Sequence, residues 1–403
     1  MNGMSFLDKL LDGQAVGWKP LHTLIKTVTA PSKLKSESYR SKGKLPIVDQ
    51  GIEFIAGYTD EDVAPVKAGS YVIFGDHSEH IKYVDFSFVQ GADGIKILSP
   101  TSVNAKYIYY AFQSFYVKEF SYKRHWLTAR ETLIPVPCPE NPKKSLEIQG
   151  EIVHILDKFN ELATELATEL SSRKKQYNYY RDQLLSFKGV EGGVGWKAVG
   201  DIGEFIRGKR FTKADYVEEG ISAIHYGEIY TRYGVWADQV FSKVRDDMAG
   251  SLRYAEPGDV IMAAVGETVE DVGKAVAWLG NQKVAIHDDS YAFRHPMNPK
   301  YISYAMQTAS FNSQKTKHVS SGKVKRLLIE GLKKEVQIPI PYPDDPERSL
   351  VEQARIVAIL DKFDALINSI SEGLPREIEL RHKQYEYYRN LLLSFRKLEE
   401  VAG

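Results

Sequence analysis

The sequence predicts an α+β protein in which two mixed α/β globules alternate with two long helices. A segment with a heptad pattern occurs twice, and each copy follows a stretch of short apolar runs separated by turn residues. Heptad spacing indicates a helix that packs along another helix, whereas short runs of alternating apolar residues indicate strands. The predicted order along the chain is therefore globule, helix, globule, helix.

Length and composition are those of an ordinary soluble protein with two or three domains. The chain has 403 residues, 43% hydrophobic and 26% charged. Lys+Arg and Asp+Glu both number 53, so the chain has no overall basic field of the kind that a tight, freestanding, non-specific nucleic-acid binder needs. The longest apolar run is too short for a membrane span, and the N-terminus lacks the apolar region of a signal peptide. The single cysteine, Cys138, agrees with a reducing compartment, so we expect a cytoplasmic protein with no membrane contact.

The first long helix is predicted over residues 151–187, without a glycine or proline. Its apolar positions follow alternating steps of four and three, and only Ala163 and Arg173 depart from an apolar seam of large residues. The predicted seam residues of this copy are Ile152, Leu156, Phe159, Leu166, Leu170, Tyr177, Tyr180 and Leu184.

The second copy repeats the pattern with a slip of four residues. Phe363 follows Phe159 by 204 positions (363 − 159), whereas Tyr385 follows Tyr177 by 208 (385 − 177). Gly373 and Pro375 lie at the slip, where we expect a kink or a short break. The predicted seam residues are Ile356, Leu360, Phe363, Ile367, Ile370, Tyr385, Tyr388 and Leu392. The simplest partner for each helix is the other one, within the same chain.

Both globules begin and end with the same short sequences. Gly-Trp-Lys stands at 17–19 and at 195–197, and Ile-Pro-Val-Pro at 134–137 corresponds to Ile-Pro-Ile-Pro at 338–341. We therefore divide the chain into globules at 1–145 and 191–348 and helices at 146–190 and 349–403. A short N-terminal helix over 5–11 resembles the tail of a third repeat helix, which suggests that the two chain ends meet.

The globule interiors differ in sequence. The first shows strand-like runs at 44–50, 52–58, 70–75, 83–89 and 95–99, and a helix over about 104–120. The second shows strand-like runs at 202–206, 221–226, 259–265, 274–280 and 291–295, and a helix near 299–310. Similar ends with different middles are typical of one scaffold that presents two different surfaces.

These features resemble the specificity subunits of Type I restriction–modification systems. The resemblance covers essentially the whole chain. Its most specific part is the repeated helix wording, ILDKF followed by KQYNYYRDQLL or KQYEYYRNLLL, and FIAGYTD and GDVIMAAVGETVEDVGKA in the globules support it. The resemblance implies two target-recognition domains that each read one half of a split DNA sequence. It also implies that the two helices form an intramolecular antiparallel coiled coil, which spaces the domains and docks partner subunits.

The resemblance implies that the chain itself is not an enzyme and holds no cofactor or metal. Its partners would be double-stranded DNA, two methyltransferase subunits and, through them, restriction (motor-nuclease) subunits. S-adenosylmethionine, ATP and magnesium would serve adenine-N6 methylation and DNA cleavage in those partners. The residues agree, because the sequence has no P-loop and no Asn/Asp-Pro-Pro-Tyr/Phe run. His287, with Asp288 and Asp289, is the only local cluster that resembles a catalytic site, and it lacks a second histidine or a metal-ligand spacing.

Candidate DNA contacts combine cations for phosphate groups with amide, aromatic and imidazole groups for base edges, near predicted turns. In the first globule they are Lys42, Lys44, Asp49, Gln50, Tyr58, His77, Lys82 and Tyr83. In the second globule they are Arg207, Lys209, Arg210, Lys213, His225, Tyr226, Tyr230, Arg232, Lys315, Lys317, His318, Ser320, Ser321 and Lys323. For each single residue an ordinary solvated side chain is an equally good interpretation, and the clusters carry the hypothesis.

Other interpretations stay open at this point. The main alternative is a stand-alone regulator that reads a bipartite DNA site, or a coiled-coil scaffold without enzymatic partners. A hydrolase centred on His287 is a more distant alternative. The tyrosine-rich helix ends at 177–180 and 385–388 fit seam packing better than nucleic-acid stacking, because they lie on the heptad stripe.

Overall fold

The protein forms two compact units that share the two long helices. The structure, a computed structural model, describes residues 6–187, 193–368 and 373–395. The first unit comprises Met1–Glu165 and Glu379–Gly403, and the second comprises Leu166–Ile378. Each unit therefore contains one globule and a part of both helical repeats. The four predicted segments assign whole helices to domains of their own, and their boundaries stay a prediction.

Eleven α-helices lie in the described residues. They are α1 (Phe6–Leu11), α2 (Ala105–Phe115), α3 (Trp126–Ala129), α4 (Pro142–Ser186), α5 (Val199–Ile202), α6 (Tyr226–Thr231), α7 (Pro299–Ala305), α8 (Ala309–Thr316), α9 (Ile329–Glu335), α10 (Pro346–Asn368) and α11 (Gly373–Leu392). Single 3₁₀ turns occupy Leu21–Thr23, Ser36–Ser38, Lys213–Asp215 and Asp246–Met248. None of these described helices is long and apolar enough to cross a membrane.

The long helices differ in continuity, as the register slip predicts. Helix α4 is uninterrupted and begins nine residues before the predicted start at Glu151. The second repeat is divided into α10 and α11. Gly373 has a φ of +77°, a left-handed conformation that interrupts α-helical hydrogen bonding and favours glycine. A side chain there would also meet the carbonyl oxygen of Leu366 at 2.5 Å. Residues 369–372 and the predicted seam residue Ile370 lie outside the described part of the chain.

The first unit has three small sheets among its residues 6–165 and 379–395. Its strands are β1 (Val16–Pro20), β2 (Ile25–Val28), β3 (Leu45–Val48), β4 (Gly57–Thr59), β5 (Tyr71–Gly75), β6 (Ile81–Val84), β7 (Val89–Gln90), β8 (Ile95–Pro100) and β9 (Leu133–Pro137). The strand orders are β2-β8-β5-β6, β4-β3-β7 and the pair β1-β9. All pairs are antiparallel except β3 with β7.

The second unit has larger sheets and a different topology. Its strands are β10 (Val194–Ala198), β11 (Glu204–Arg207), β12 (Tyr216–Ile224), β13 (Trp236–Ala237), β14 (Ser242–Val244), β15 (Tyr254–Ala255), β16 (Val260–Ala263), β17 (Val265–Gly266), β18 (Ala275–Trp278), β19 (Val284–Ile286), β20 (Ser290–Arg294), β21 (Lys325–Arg326) and β22 (Gln337–Pro341). The sheet orders are β11-β20-β16-β18-β13, β14-β12-β19-β15, β10-β22 and β17-β21. The larger sheets of the two globules therefore differ in strand number and order.

The common base of each globule is a two-stranded sheet between its first and last strands. In the first unit Trp18 pairs with Pro135, and in the second Trp196 pairs with Pro339. The Gly-Trp-Lys and Ile-Pro-x-Pro sequences therefore lie side by side in both copies. Each globule begins and ends at one place, next to the start of a long helix.

A second shared feature joins each globule to the helix that follows it. Asn104 caps α2 by accepting hydrogen bonds from the main chain, and its own N–H donates to Gln149 Oε1 of α4 over 2.7 Å. Asn298 caps α7 in the same way, and its N–H donates to Gln353 Oε1 of α10 over 2.9 Å. Such caps stabilise a helix by about 1 kcal/mol.

About two turns further along each long helix, an aspartate that binds a lysine and a tyrosine fixes the same pair of helices. In each unit one carboxylate oxygen pairs with the lysine and the other accepts the tyrosine hydroxyl. In the first unit the distances are 2.6 Å for Lys106–Asp157 and 2.7 Å for Tyr110–Asp157. In the second they are 2.8 Å for Lys300–Asp361 and 2.7 Å for Tyr304–Asp361. We call these contacts, with the Asn–Gln bonds, the polar clamp.

In the first unit the beginning of α4 packs against the end of α11. Ile152, Leu156 and Leu392 are buried in one apolar cluster, and Phe159 stacks on Tyr388 with ring centroids 4.9 Å apart. Tyr385 packs on the same cluster. Leu7 of α1 belongs to it as well, so the described parts of the two chain ends meet, as the N-terminal sequence suggests.

In the second unit the end of α4 packs against α10. Buried Tyr177, Ile356, Leu360 and Ile367 share a cluster, against which Leu170 and Leu184 pack. Tyr180 stacks on Phe363 with centroids 6.0 Å apart, and Leu166 is half-buried. Early residues of α4 thus meet late residues of the second repeat, and late residues meet early ones. The predicted antiparallel pairing of the two repeats is confirmed in both units.

Most predicted strands are present, with corrections at places where a turn interrupts an apolar run. Residues 52–55 are a bend, and only Gly57 and Tyr58 of the predicted 52–58 run belong to a strand, β4. The 83–89 run contains the end of β6 and the start of β7. Helix α2 ends at Phe115 and not at 120, and the predicted 299–310 helix is divided into α7 and α8.

Candidate nucleic-acid interface

A basic segment follows β11 in the second unit. Arg207, Lys209 and Arg210 are exposed. Arg207 Nε donates to the carbonyl oxygen of Asp288 over 2.9 Å, and Lys209 N donates to Ile286 O over 3.0 Å. The Lys209 bond holds the main chain of the segment beside β19, and the Arg207 bond ties its side chain to the turn that follows β19, while all three cationic residues stay exposed.

Glycine is required in the middle of this segment. A Cβ atom on Gly208 would lie 2.1 Å from His287 O and 2.3 Å from Ile286 O, distances that no side chain tolerates. The close approach of Gly208 therefore places the two cations after it next to the His287 turn.

His225 begins α6 and caps its N-terminus. Its Nδ1 accepts a hydrogen bond from Gly227 N over 3.1 Å, and Glu228 Oε2 accepts from His225 N. Because Nδ1 is an acceptor, the neutral ring carries its proton on Nε2. Burial is the largest cause that lowers the pKa of His225, to about 4, and nearby His287 lowers it further. The ring therefore stays neutral and presents an N–H donor.

Three more rings surround His225. Its centroid lies 4.2 Å from that of Tyr226, 4.8 Å from that of His287 and 6.4 Å from that of Phe211. Tyr230, one turn later on α6, lies 6.4 Å from Tyr226. The structure thus gathers imidazole and aromatic groups from the 207–213 and 225–230 segments and from the 287 turn, which are distant in sequence.

His287 links two segments of this group through hydrogen bonds of its ring. Its Nε2 donates to Phe211 O over 3.1 Å, its Nδ1 accepts from Asp289 N over 3.1 Å, and burial lowers its pKa. Asp288 Oδ1 also lies 3.1 Å from Nδ1. Oxygen and nitrogen atoms of the 287–289 cluster lie within 4.8 Å of one another. Both imidazole nitrogens already bond the main chain, so this ring fits neither a metal ligand nor a general base.

The segment 319–327, which contains the predicted residues Ser320, Ser321 and Lys323, joins the same group through Arg326. Arg326 Nη1 donates to Asp289 Oδ1 over 3.2 Å, and Arg326 N donates to Ser320 Oγ over 3.0 Å. Arg253 approaches from another side and donates to Arg207 O over 3.2 Å. The sequence analysis missed Arg253, which is a single cation outside any basic run, and it stopped at Lys323 although Lys325 and Arg326 continue the same basic run. Only the fold brings them to the predicted residues.

Other predicted residues of the second unit separate into exposed and buried groups. Lys213, Lys317, Ser321 and Lys323 are exposed. Arg232 is also exposed, but its guanidinium lies 3.9 Å from the Phe241 ring centroid, in a cation–π contact.

Two predicted contacts of the second unit are corrected by burial. Lys315 is 1% exposed and packs against Gly273, and burial lowers its pKa to about 8. His318 is 8% exposed, and its Nε2 lies 3.4 Å from Glu335. Lys315, in α8, and His318, two residues after this helix ends, are both buried, so neither is placed to reach a ligand from solvent.

In the first unit Gln50 links three segments by hydrogen bonds. Its Oε1 accepts from His77 N over 3.2 Å, its Nε2 donates to Asp93 O over 3.3 Å, and its carbonyl oxygen accepts from Ser78 Oγ. Asp49 is half-buried and accepts from Gly51 N over 2.8 Å. The predicted neighbours Asp49, Gln50 and His77 are therefore brought together, with Gln50 as a largely structural residue.

The other predicted residues of the first unit lie in two places. Lys42 and Lys44 are exposed in the loop before β3, beside half-buried Tyr58 of β4. Tyr83 lines a cavity of about 640 Å³ next to α2 and α4, where Lys106 lies 5.4 Å from its ring centroid.

Lys82 is a further correction. It is 7% exposed, and its Nζ donates to the carbonyl oxygens of Asp49 and Glu53 over 2.9 and 2.5 Å. Burial lowers its pKa, and the two carbonyl bonds satisfy the ammonium. Lys82 therefore holds the 49–53 bend in place and is not available to a phosphate group.

The arrangement in the second unit suits recognition of DNA by groove contacts. Exposed cations can neutralise phosphates, and the fixed N–H donor of His225 suits a base-edge acceptor such as purine N7.

Comparison with known proteins gives a consistent result. The Type I restriction modification DNA specificity domain matches residues 193–380. The chain is 38% identical to the Type I restriction enzyme EcoR124I/EcoR124II specificity subunit of Escherichia coli, over 100% of both chains. It is 31% identical to a putative type I restriction enzyme specificity subunit of Haemophilus influenzae, over 98% of this chain and 99% of that one.

Solved structures share the fold at lower sequence identity. The S subunit of a Type I restriction–modification system from M. genitalium matches with a TM-score of 0.51 and 16% identity, over 96% of this chain and 98% of that one. A chain from a study of assembly and conformational transition in the type I R-M system matches with a TM-score of 0.58 and 14% identity, over 94% and 97%.

Proposed function

Because the chain belongs to the specificity subunits of Type I restriction–modification systems, we propose that it reads a bipartite DNA target for such a complex. The observation that carries the proposal is a duplicated frame with dissimilar surfaces. The polar clamp and the base strands recur in both units, whereas the sheets above them differ in strand number and order. One frame that holds two different surfaces suits a protein that reads two different half-sites.

The contacts of the second unit support a role in DNA binding. Arg207, Lys209, Arg210, Arg253 and Arg326 lie around the ring cluster at His225. In this proposal the cations position the unit on phosphates, and the imidazole and tyrosine groups contact base edges. The first unit reads the other half-site with a different set of side chains.

The enzymes are the partners of this chain in the proposal, and the chain itself is not catalytic. Two methyltransferase subunits dock on the outer faces of α4, α10 and α11, where charged and apolar side chains such as Leu162 and Tyr387 stay exposed. Restriction subunits join through them. S-adenosylmethionine, ATP and magnesium are used in those subunits for adenine-N6 methylation and DNA cleavage. The complex acts on DNA in the cytoplasm.

The test is to co-express the full chain with methyltransferase subunits in cells that lack other adenine methylation, and to map modified adenines across the genome. We expect a split target with two constant half-sites and an unread gap of fixed length. DNA binding without partners and without any associated methylation would instead support a stand-alone regulator. A methylated target without a gap would contradict the two-surface proposal.

A further inference from the structure

One loop of the first unit exposes large apolar side chains in a way that the proposed function does not yet use. The loop is residues 117–124, between α2 and α3. Within it Val117, Phe120 and Tyr122 are 81%, 88% and 95% exposed, the highest values among the large hydrophobic residues that the structure describes. Single exposed apolar residues are ordinary, whereas a group of three in one loop indicates an interaction site.

The loop is held in this arrangement by a buried carboxylate. Glu79, in the turn between β5 and β6, is 3% exposed. Its Oε2 accepts from Tyr116 Oη and from Glu119 N, both over 2.8 Å, and its Oε1 accepts from Phe120 N over 2.9 Å. These hydrogen bonds outweigh burial and lower the pKa of Glu79. The charged carboxylate therefore fixes the start of the loop.

The other end of the loop is fixed by the same turn. Asp76 Oδ1 accepts from Trp126 N over 2.8 Å, and Asp76 O accepts from His125 N over 2.8 Å. The His125 ring is fully buried, and its Nε2 donates to Ser121 O over 2.8 Å. Phe120 itself has a φ of +53°, a conformation that costs a non-glycine residue about 1 kcal/mol. Phe120 thus keeps its exposed ring in a backbone conformation that lowers the stability of the fold slightly.

The loop lies against residues that the sequence already indicates as DNA contacts. The Tyr122 ring stacks on His77 with centroids 5.6 Å apart and an angle of 24° between the planes. His77 Nδ1 donates to Lys123 O over 3.1 Å, and His77 N donates to Gln50 Oε1. The apolar side chains are therefore next to the Gln50–His77 group.

Positive charge surrounds the exposed rings. Lys118, Lys123 and Arg124 are exposed, and Glu119, which pairs with Lys123, is the only acid in the loop. Arg124 opens onto a cavity of about 360 Å³ that is also lined by Lys33, Lys96 and His77. Two acids line it as well, and they pair with the lysines: Asp93 with Lys33 and Asp76 with Lys96.

The combination of cations and exposed rings in this loop helps to decide between a protein partner and a nucleic-acid partner. The centre of a protein–protein interface is depleted of lysine, whereas sites for nucleic acid place cations beside aromatic rings. Here Lys118 lies two residues before Phe120, and Lys123 and Arg124 follow Tyr122 directly. The chemistry therefore favours DNA over another protein subunit.

We propose that residues 117–124 form a DNA-contacting loop of the first unit, in which Lys118 and Arg124 bind phosphates and Phe120 and Tyr122 pack against the bases or sugars of one half-site. The proposal rests on the proposed function, because it assigns the loop to one half of the bipartite target. It adds a reading element to the first unit, where the residues indicated by sequence are largely held in structural hydrogen bonds.

The test uses the full chain assembled with its methyltransferase subunits and a DNA target defined by methylation mapping. Phe120→Ser together with Tyr122→Ser removes both rings, and the matched control Phe120→Tyr together with Tyr122→Phe keeps them. Affinity is measured for the intact target and for duplexes in which either half-site is scrambled. We expect the serine variant to bind the target at least about tenfold more weakly, since one base–aromatic stack is worth about 1–3 kcal/mol. It should also lose discrimination for one half-site and keep it for the other, while the control resembles the wild type.

A second variant tests the phosphate contacts. Lys118→Ala together with Arg124→Ala should weaken binding to all duplexes and reduce the salt dependence by about two phosphate contacts. Unchanged affinity and discrimination in the serine variant would overturn the loop proposal alone. Loss of methyltransferase assembly with normal DNA contacts would identify a protein-docking loop and overturn it as well. If the wild-type complex did not distinguish its target from scrambled duplexes, the proposed function would fail together with the loop proposal.

Discussion

Phe159 of the first repeat helix stacks on Tyr388 of the second, with ring centroids 4.9 Å apart and 19° between the planes. The two residues are 229 positions apart (388 − 159), and both occupy seam positions of the heptad pattern. An equivalent stack, between Tyr180 and Phe363, occurs in the second unit. Aromatic stacking therefore recurs where the two repeats meet.

Removing one ring of this stack should loosen the helix pairing of the first unit. Tyr388→Ala should lower the free energy of unfolding by about 2 kcal/mol, because it loses buried ring area and the stacking contact. Thermal unfolding of the full chain, followed by circular dichroism, measures the effect. Tyr387→Ala is the matched control, since Tyr387 is 64% exposed and its ring touches that of Tyr388 edge-on without joining the stack. Equal effects of the two substitutions would show that the stack contributes little.

Stability should fall in mild acid because of neutral histidines in the second unit. Burial lowers the pKa of His295 to about 4, and its Nδ1 accepts a hydrogen bond from Met297 N. Between pH 6.5 and pH 4 the unfolded chain binds a proton that the folded chain does not, so stability decreases as the pH is lowered. His225 acts in the same direction. The contribution of each is about 2 kcal/mol or less.

The substitution His295→Asn isolates this effect, because asparagine keeps an acceptor near Met297 N and does not titrate. Denaturant unfolding at pH 7 and pH 4.5 should show a smaller pH dependence in the variant than in the wild type. His154→Asn, at an exposed position of α4, serves as the control and should leave the pH dependence unchanged. An identical loss of stability in acid for wild type and His295→Asn would contradict the assignment.

The basic segment after β11 should contribute to DNA affinity through phosphates. In the assembled complex, Lys209→Ala together with Arg210→Ala should weaken binding and reduce the slope of log affinity against log salt by about two. The pair is preferable to a triple change with Arg207, because the Arg207 side chain also bonds Asp288 O. Lys333→Ala together with Lys334→Ala on α9 removes the same charge elsewhere in the unit. If both pairs had the same effect, net charge and not the segment would be responsible.

The tetrapeptide repeat in α4 should set the gap between half-sites. Residues 161–170 read ELATELATEL within an uninterrupted helix. One more ELAT unit lengthens a helix by about 6 Å and turns it about 40° past a full turn. One base pair turns about 35°. We expect an inserted or deleted unit to change the unread gap by one base pair. Methylation mapping that gave the same gap for the edited and unedited proteins would refute this.

The helices were more predictable from sequence than the DNA-contacting surfaces, for a physical reason. A heptad seam is local and periodic, so the spacing of the apolar residues alone predicts that Leu156 and Leu360 are buried. Whether a lysine binds DNA depends on which face of a distant element it joins. Lys82 and Lys315 have the sequence surroundings of surface cations and are buried by the fold.

The reverse also occurs, since the fold gathers residues that sequence does not group. Arg253 and Arg326 reach the 207–210 segment and the 287 turn only through strand pairing and loop closure. The sequence predicts Phe120 as the last residue of a helix. In the structure the exposure of its ring depends on hydrogen bonds to Glu79, which is 41 residues earlier (120 − 79). A lone apolar residue gives no sequence signal for such exposure.

Because the first and last strands of each globule pair with each other, the globule can be exchanged as one unit. Since β1 joins β9 and β10 joins β22 through the same Gly-Trp-Lys and Ile-Pro-x-Pro residues, a globule from another chain needs to match only this strand pair and the polar clamp beside it. The rest of the globule can then differ in sequence. We therefore expect that exchanging one globule between its paired strands would change one half of the target while the helical frame keeps its sequence.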